Sequence, residues 1–105
     1  MVVTTVVDRE DTAAAIATRL VEERLAACVQ VGAPVRSTYV WKGRLESAEE
    51  WVVSCKTQPG RLEALMARLR ALHPYEVPEI LAFPVAGGDP DYLAWVAEST
   101  SPRLS

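Results

Sequence analysis

Two runs with the two-residue period of a β-strand flank the dipeptide Lys42-Gly43. Before it, Val35, Ser37, Tyr39 and Trp41 fall on one face. After it comes a polar RLESAEE, and then WVVSCK sets Trp51, Val53 and Cys55 against Val52, Ser54 and Lys56. Lys42 and Gly43 make the tight turn of a long hairpin, whose arms exceed the usual five or six residues per strand. Its tip is expected to carry Tyr39, Trp41 and Trp51. Helices from a chain this short cannot cover all of it, so a projecting aromatic hairpin with an unpaired edge is expected to meet a neighbour's sheet.

The other segments supply the sheet this hairpin joins. VVTTVV (2–7) is β-branched throughout and reads as a strand covered on both faces. Asp8 and Asp11 offer acceptors for a helix start, and Ala13, Ile16, Ala17, Leu20 and Val21 recur at helical spacing to about Leu25. ACVQV alternates as a strand, and Gly32 with Pro34 is expected to break the run. Pro59 opens a second helix with Leu62, Leu65, Met66, Leu69 and Leu72 as its apolar stripe, ending before Pro74. EILAFPV (79–85) is a short final strand, which Pro84 confines to an edge or a bulge. Asp89 and Pro90 read as N-cap and first residue of a closing helix lined by Tyr92, Trp95 and Val96, and STSPRLS as a frayed tail. The expected fold is α+β: a ferredoxin-like βαββαβ antiparallel sheet with two helices on one face plus a C-terminal helix, in one domain over 1–105.

Composition narrows the function classes. Net charge is −3, so no overall positive field attracts a phosphate backbone, and no nucleic-acid partner is expected. The apolar runs fall far short of the ~20 residues that span a bilayer, and MVVTTVVDRED lacks the features of a secretory signal. No membrane association and a cytoplasmic location are therefore expected. Cys28 and Cys55 show no CxxC spacing and are expected as two buried thiols. The chain has 105 residues, and folding at this length buries only about two-thirds of the unfolded surface, so a partner subunit would add to a modest core.

The only histidine, His73 in ALHPYEVPEIL, is the best candidate metal ligand, with Glu76 or Tyr75 beside it if Pro74 turns the chain back. Against this, a histidine in a last helical turn also stabilises exposed carbonyls, and a metal needs three or four donors where each chain has one imidazole. That plainer role is the expectation for a single chain. Three copies around an axis would change the donor count. Glu46, Glu49 and Glu50 read as a solvated acidic surface near the hairpin tip. Glu79 is expected to be partly buried, in an ion pair with Arg24 or Lys56. Trp41, Tyr75 and Tyr92 are candidates to wall a pocket between protomers, although interface packing is the expected role of Tyr39, Trp41, Trp51, Tyr75, Tyr92 and Trp95.

Several strings together resemble the CutA divalent-cation tolerance family along nearly the whole chain: VEERLAACVQV (21–31), STYVWKGRLE (37–46), CKT (55–57), LHPYEVPEIL (72–81) and GDPDYLAWV (88–96). The resemblance implies a ferredoxin-like protomer in a tight homotrimer, with hairpin strands exchanged between subunits and the last helix at the intersubunit contact. It also implies a role in tolerance of copper or other divalent metal ions, and an architectural likeness to PII signalling proteins. Some members carry a further cysteine on the first strand, where this chain has Thr4 and Thr5.

The main expectation is a non-enzymatic homotrimer that needs no cofactor and binds copper or another divalent ion weakly. The alternative is a PII-like trimer holding a small ligand at subunit boundaries, for which Arg36, Lys42 and Arg44 are the plausible basic cluster. Catalysis is not expected. The chain has no asparagine for an acylphosphatase-like arrangement and no GxSxG elbow to pair with His73.

Overall fold

The computed structural model describes residues 1–102. In chain order the elements are β1 (Val2–Val7), α1 (Glu10–Glu22), β2 (Cys28–Trp41), β3 (Arg44–Lys56), a 3-10 turn (Pro59–Arg61) leading into α2 (Leu62–Leu72), β4 (Ile80–Phe83) and α3 (Pro90–Ser99). All strand pairs are antiparallel, in the order β2-β3-β1-β4. This is the expected α+β arrangement, with the sheet's two edges at β2 and β4.

One face of the sheet is dry. Val3, Val7, Val53 and Cys55 pack there against Ala13, Ile16 and Leu20 of α1 and Leu65 and Leu69 of α2. Strict alternation along β1 leaves Val2, Thr4 and Val6 half-buried on the opposite face, away from α1 and α2. Burial pushes the Cys55 thiol up to about 12, so it behaves as a small hydrophobe. Cys28 departs from the expected pair of buried thiols. It begins the edge strand β2 and is only half-buried.

The helix boundaries follow backbone chemistry more than side-chain acceptors. No side chain caps α1: Arg9 occupies the N-cap, and Asp11 instead takes the Arg9 guanidinium at 2.8 and 2.9 Å. Glu10 and Asp11 still favour the positive end of the helix dipole. Helix α1 stops at Glu22, short of the expected Leu25, because Arg24 adopts a left-handed φ of 59°. Arg24 N–H then donates to Val21 O and Leu25 N–H to Leu20 O, at 3.0 Å each, which turns Leu25 and Ala26 into the core. At α3 the expectation holds: Asp89 caps by accepting from Tyr92 N at 3.0 Å, with Pro90 as first helical residue.

The hairpin is longer and more continuous than its sequence suggests. Gly32 and Pro34 do not break β2; the register shifts between Val31 and Pro34, and pairing with β3 resumes. A proline fits there because β2 is an edge strand and the irregularity removes the need for its missing N–H. The polar RLESAEE belongs to β3. At the turn, Lys42 and Gly43 both have positive φ, 52° and 77°, as a two-residue type I′ connection requires. β1 pairs with β3 only over Trp51–Lys56, so Arg44–Glu50 has no partner but Val35–Trp41. These two segments form a two-stranded ribbon standing off the body. Trp51 lies opposite both Pro34 and Val7, at the root of the ribbon and against the core; the tip expected for it is held by Trp41 and Tyr39.

The expected last strand shortens to Ile80–Phe83 and pairs only with β1, an edge position as Pro84 demands. Of the expected frayed tail, Ser99 is helical and Thr100 is fully buried. Residues 103–105 lie outside the described residues.

Candidate functional site

The turn after α2 brings three polar side chains together at the end of β1 and the root of the ribbon. Pro74 holds His73 in an extended conformation, φ −75° and ψ 133°, so the imidazole swings off the helix axis toward β1. Its Nε2–H donates to Val6 O at 2.9 Å, and its Nδ1 accepts from Tyr75 N–H at 3.1 Å. Both ring nitrogens are thus engaged, in one neutral tautomer, and His73 is only 8% exposed. Burial, the largest influence, holds the His73 pKa below its ordinary value.

The ring of Tyr75 meets the imidazole edge-on at 4.7 Å, and its hydroxyl donates to Glu50 Oε2 at 2.6 Å. Burial, followed by this bond to a carboxylate, raises the Tyr75 pKa. Glu50 is only 5% exposed, which corrects its reading as a solvated acid; Glu46 is half-buried and Glu49 exposed. The sequence signal for the difference is weak: the acidic doublet Glu49-Glu50 sits on a strand, where neighbours take opposite faces.

The metal reading meets this geometry unfavourably. Glu76 is exposed, and its role in the turn is a backbone carbonyl that accepts from Arg70 at 3.1 Å. Among the described residues no three His, Cys, Asp or Glu side chains converge as a metal would need. The residues present in one chain therefore do not form a ready metal site: an ion at His73 Nδ1 would displace the Tyr75 amide. The expected ion pair of Glu79 is also corrected. Glu79 is exposed, Arg24 donates to carbonyls at the C-terminal end of α3, and Lys56 donates to Gln30.

The expected aromatic residues occupy separate elements. Tyr39 and Trp41 lie on the ribbon, 42% and 40% exposed, and Tyr92 and Trp95 on α3, 44% and 45% exposed with ring centroids 5.7 Å apart. Tyr75 and Trp51 are half-buried. Two shallow clefts, of about 260 and 340 Å³, lie at the end of α1 and between α1 and α2, and neither involves these aromatics. The basic cluster divides: cross-strand pairing puts Arg36 beside Glu49 on one face of the ribbon and Arg44 beside Trp41 on the other. Lys42 lies at the turn, its ammonium 5.7 Å from the centroid of the Trp41 ring.

Tyr39 and Trp41 extend a larger surface. By the strand pairing they share a face with Val35, Val52, Val6 and Val2, and through Val2 and Thr4 with Phe83 and Leu81. This face carries apolar side chains from the β4 edge to the ribbon tip, interspersed with Thr4, Ser54, Lys56, Glu46 and Arg44, and Leu81 and Phe83 are 49% and 48% exposed. No helix among the described residues is long and apolar enough to cross a membrane.

The architecture and the sequence both match known proteins. The family model for CutA1 divalent ion tolerance protein matches residues 1–99. A divalent-cation tolerance protein CutA from Thermus thermophilus is 44% identical over 99 residues, covering 94% of this chain and 96% of that protein. Its solved structure superposes with a TM-score of 0.91, covering 95% of this chain and 97% of that one. A CutA structure from Xylella fastidiosa, 37% identical, gives a TM-score of 0.92 over 95% and 96% of the two chains. The mouse protein CutA is 45% identical over 91 residues, 87% of this chain but only 51% of the mouse protein's length. With fold, topology and nearly the whole sequence in agreement, the chain belongs to the CutA1 divalent ion tolerance family.

Proposed function

We propose that this chain acts as a non-enzymatic homotrimer in the response to divalent metal ions, copper among them. What carries the reading is the open sheet face, where Leu81, Phe83, Tyr39 and Trp41 leave large apolar surface exposed, continuing onto a ribbon that beyond Glu50 is braced among the described residues by its own two strands alone. Large exposed apolar side chains grouped on one face mark an interaction site. An isolated two-stranded ribbon is marginal in water, so copies of the chain would cover the one and brace the other. Within this reading, metal is met by groups that the assembly collects, because His73 in one chain is committed to Val6 and Tyr75. Calorimetric titration with Cu(II) of wild type and His73→Ala tests that point: identical isotherms remove His73 from the metal account.

Sedimentation tests the assembly. Wild type is expected at three times the 11.5 kDa chain mass. Trp41→Ser, on the uncovered face, is expected to shift the particle toward single chains, because a truncated aromatic anchor costs an interface about 2 kcal/mol or more. Leu45→Ser, on the ribbon's other face, is expected to leave the mass unchanged. A wild-type particle of one chain at micromolar concentration would sink the proposal.

A further inference from the structure

Arg24 holds the position at the end of α1 where glycine is least costly, because the left-handed backbone there crowds any Cβ. A bulky residue at such a place calls for a reason in its side chain. The guanidinium reaches across the chain to the C-terminal end of α3: Nε donates to Ser101 O, just past the helix, and Nη2 to Glu98 O in its last turn, both at 2.8 Å. Helix α3 has no basic residue in its own last turn, so Arg24 supplies the cation that its carbonyl end favours. Gln58 grips the same end, donating from Nε2 to Ala97 O at 3.0 Å and to Thr100 Oγ1 at 2.8 Å. Apolar attachment is thin by comparison. Within α3 only Val96 is buried, while Tyr92, Leu93 and Trp95 are 41–45% exposed.

We infer that Arg24 is a positioning residue: with Gln58 it forms a polar clamp that fixes α3 on the body and sets the direction in which Tyr92 and Trp95 are presented. The clamp is a property of one chain. Its consequence for assembly, that a released α3 weakens contact between copies, rests on the trimer reading above.

Arg24→Gly separates this role from a merely local one. Glycine relieves the left-handed backbone and preserves the turn, so a residue needed only to end α1 would be replaced without loss. The clamp instead predicts that amide exchange across 90–99 becomes about tenfold faster or more, while 10–22 and 62–72 keep their protection. Arg24→Lys, which keeps one charged donor, is expected to fall between. Unchanged exchange across 90–99 in Arg24→Gly would overturn the inference. If that variant loses protection throughout, Gln58→Leu decides by the same readout: selective loosening of 90–99 supports the clamp, and none refutes it. Sedimentation of the same samples separates the two claims. A single-chain wild type would defeat the trimer reading and leave the exchange result to judge the clamp.

Discussion

The body of the molecule and its ribbon are built from the same two strands and held in opposite ways. In the body, β3 lies between β1 and β2 and its inward residues are sealed by α1 and α2, so Val53 and Cys55 have no exposed surface. Eight residues before Val53, β3 has one partner and no helix, and Leu45 is 77% exposed opposite Val40 at 67%. The body's stability comes from burial within one chain. Beyond its root, where Glu50 accepts from Tyr75, the ribbon has only cross-strand bonds and a well-formed turn, which is too little for independent order in water. Sequence that behaves as core in one half of a strand is therefore available for interaction in the other.

Substitutions in the two regions should differ in size accordingly. The largest effect belongs to the body. Leu20→Ala empties a fully buried site between α1 and the sheet and should cost about 3 kcal/mol in denaturant unfolding. A cost below that of an ordinary surface change would mean that the helix layer is looser than described.

The His73 turn joins the two regions and comes next. His73→Ala removes two hydrogen bonds, to Val6 and Tyr75, and should cost roughly 2 kcal/mol. Its pH dependence has a definite sign. The folded state depresses the His73 pKa, so the unfolded chain takes the proton first as pH falls. The stabilising contribution is fully present above about 6.5 and declines as acid is added below it. Unfolding curves between pH 7 and 5 should show that decline in wild type and a flatter profile in His73→Ala; equal slopes would contradict it.

Smaller effects probe single groups. Thr5 is completely buried, and its Oγ1 has no hydrogen-bond partner among the described residues. Thr5→Val keeps the shape and should raise stability by about 1 kcal/mol. A loss instead would reveal a bond to the hydroxyl. At the far end of the ribbon, Lys42→Asn suits the left-handed position better and should gain only a few tenths of a kcal/mol. A gain as large as that of Thr5→Val would mean that the turn governs the ribbon.

The element order was legible because each segment carries a local signal: a β-branched run in β1, a two-residue period over 35–41 and 51–56, and a three-to-four-residue period in α1 and α2. Proline and aspartate marked the start of α3 correctly for the same local reason. Other features depend on partners distant in sequence. Whether Glu50 faces water or Tyr75 turns on a bond spanning 25 positions, and the role of Arg24 on carbonyls 74 and 77 positions away. Continuity of β2 through Pro34 depends on its being an edge strand, a matter of sheet order. Trp51 was displaced from the tip by the length of RLESAEE, whose polarity suits a ribbon in solvent as well as it suits a loop.

The comparison between body and ribbon is tested most directly by amide hydrogen exchange in the wild-type chain, residue by residue along β3. If copies of the chain cover the ribbon, amides bonded between Val35–Trp41 and Arg44–Glu50 should be protected to within about tenfold of those in Trp51–Lys56. Exchange in the ribbon thousands of times faster than in the body, at a concentration where the body is folded, would show a bare hairpin in water and contradict the account.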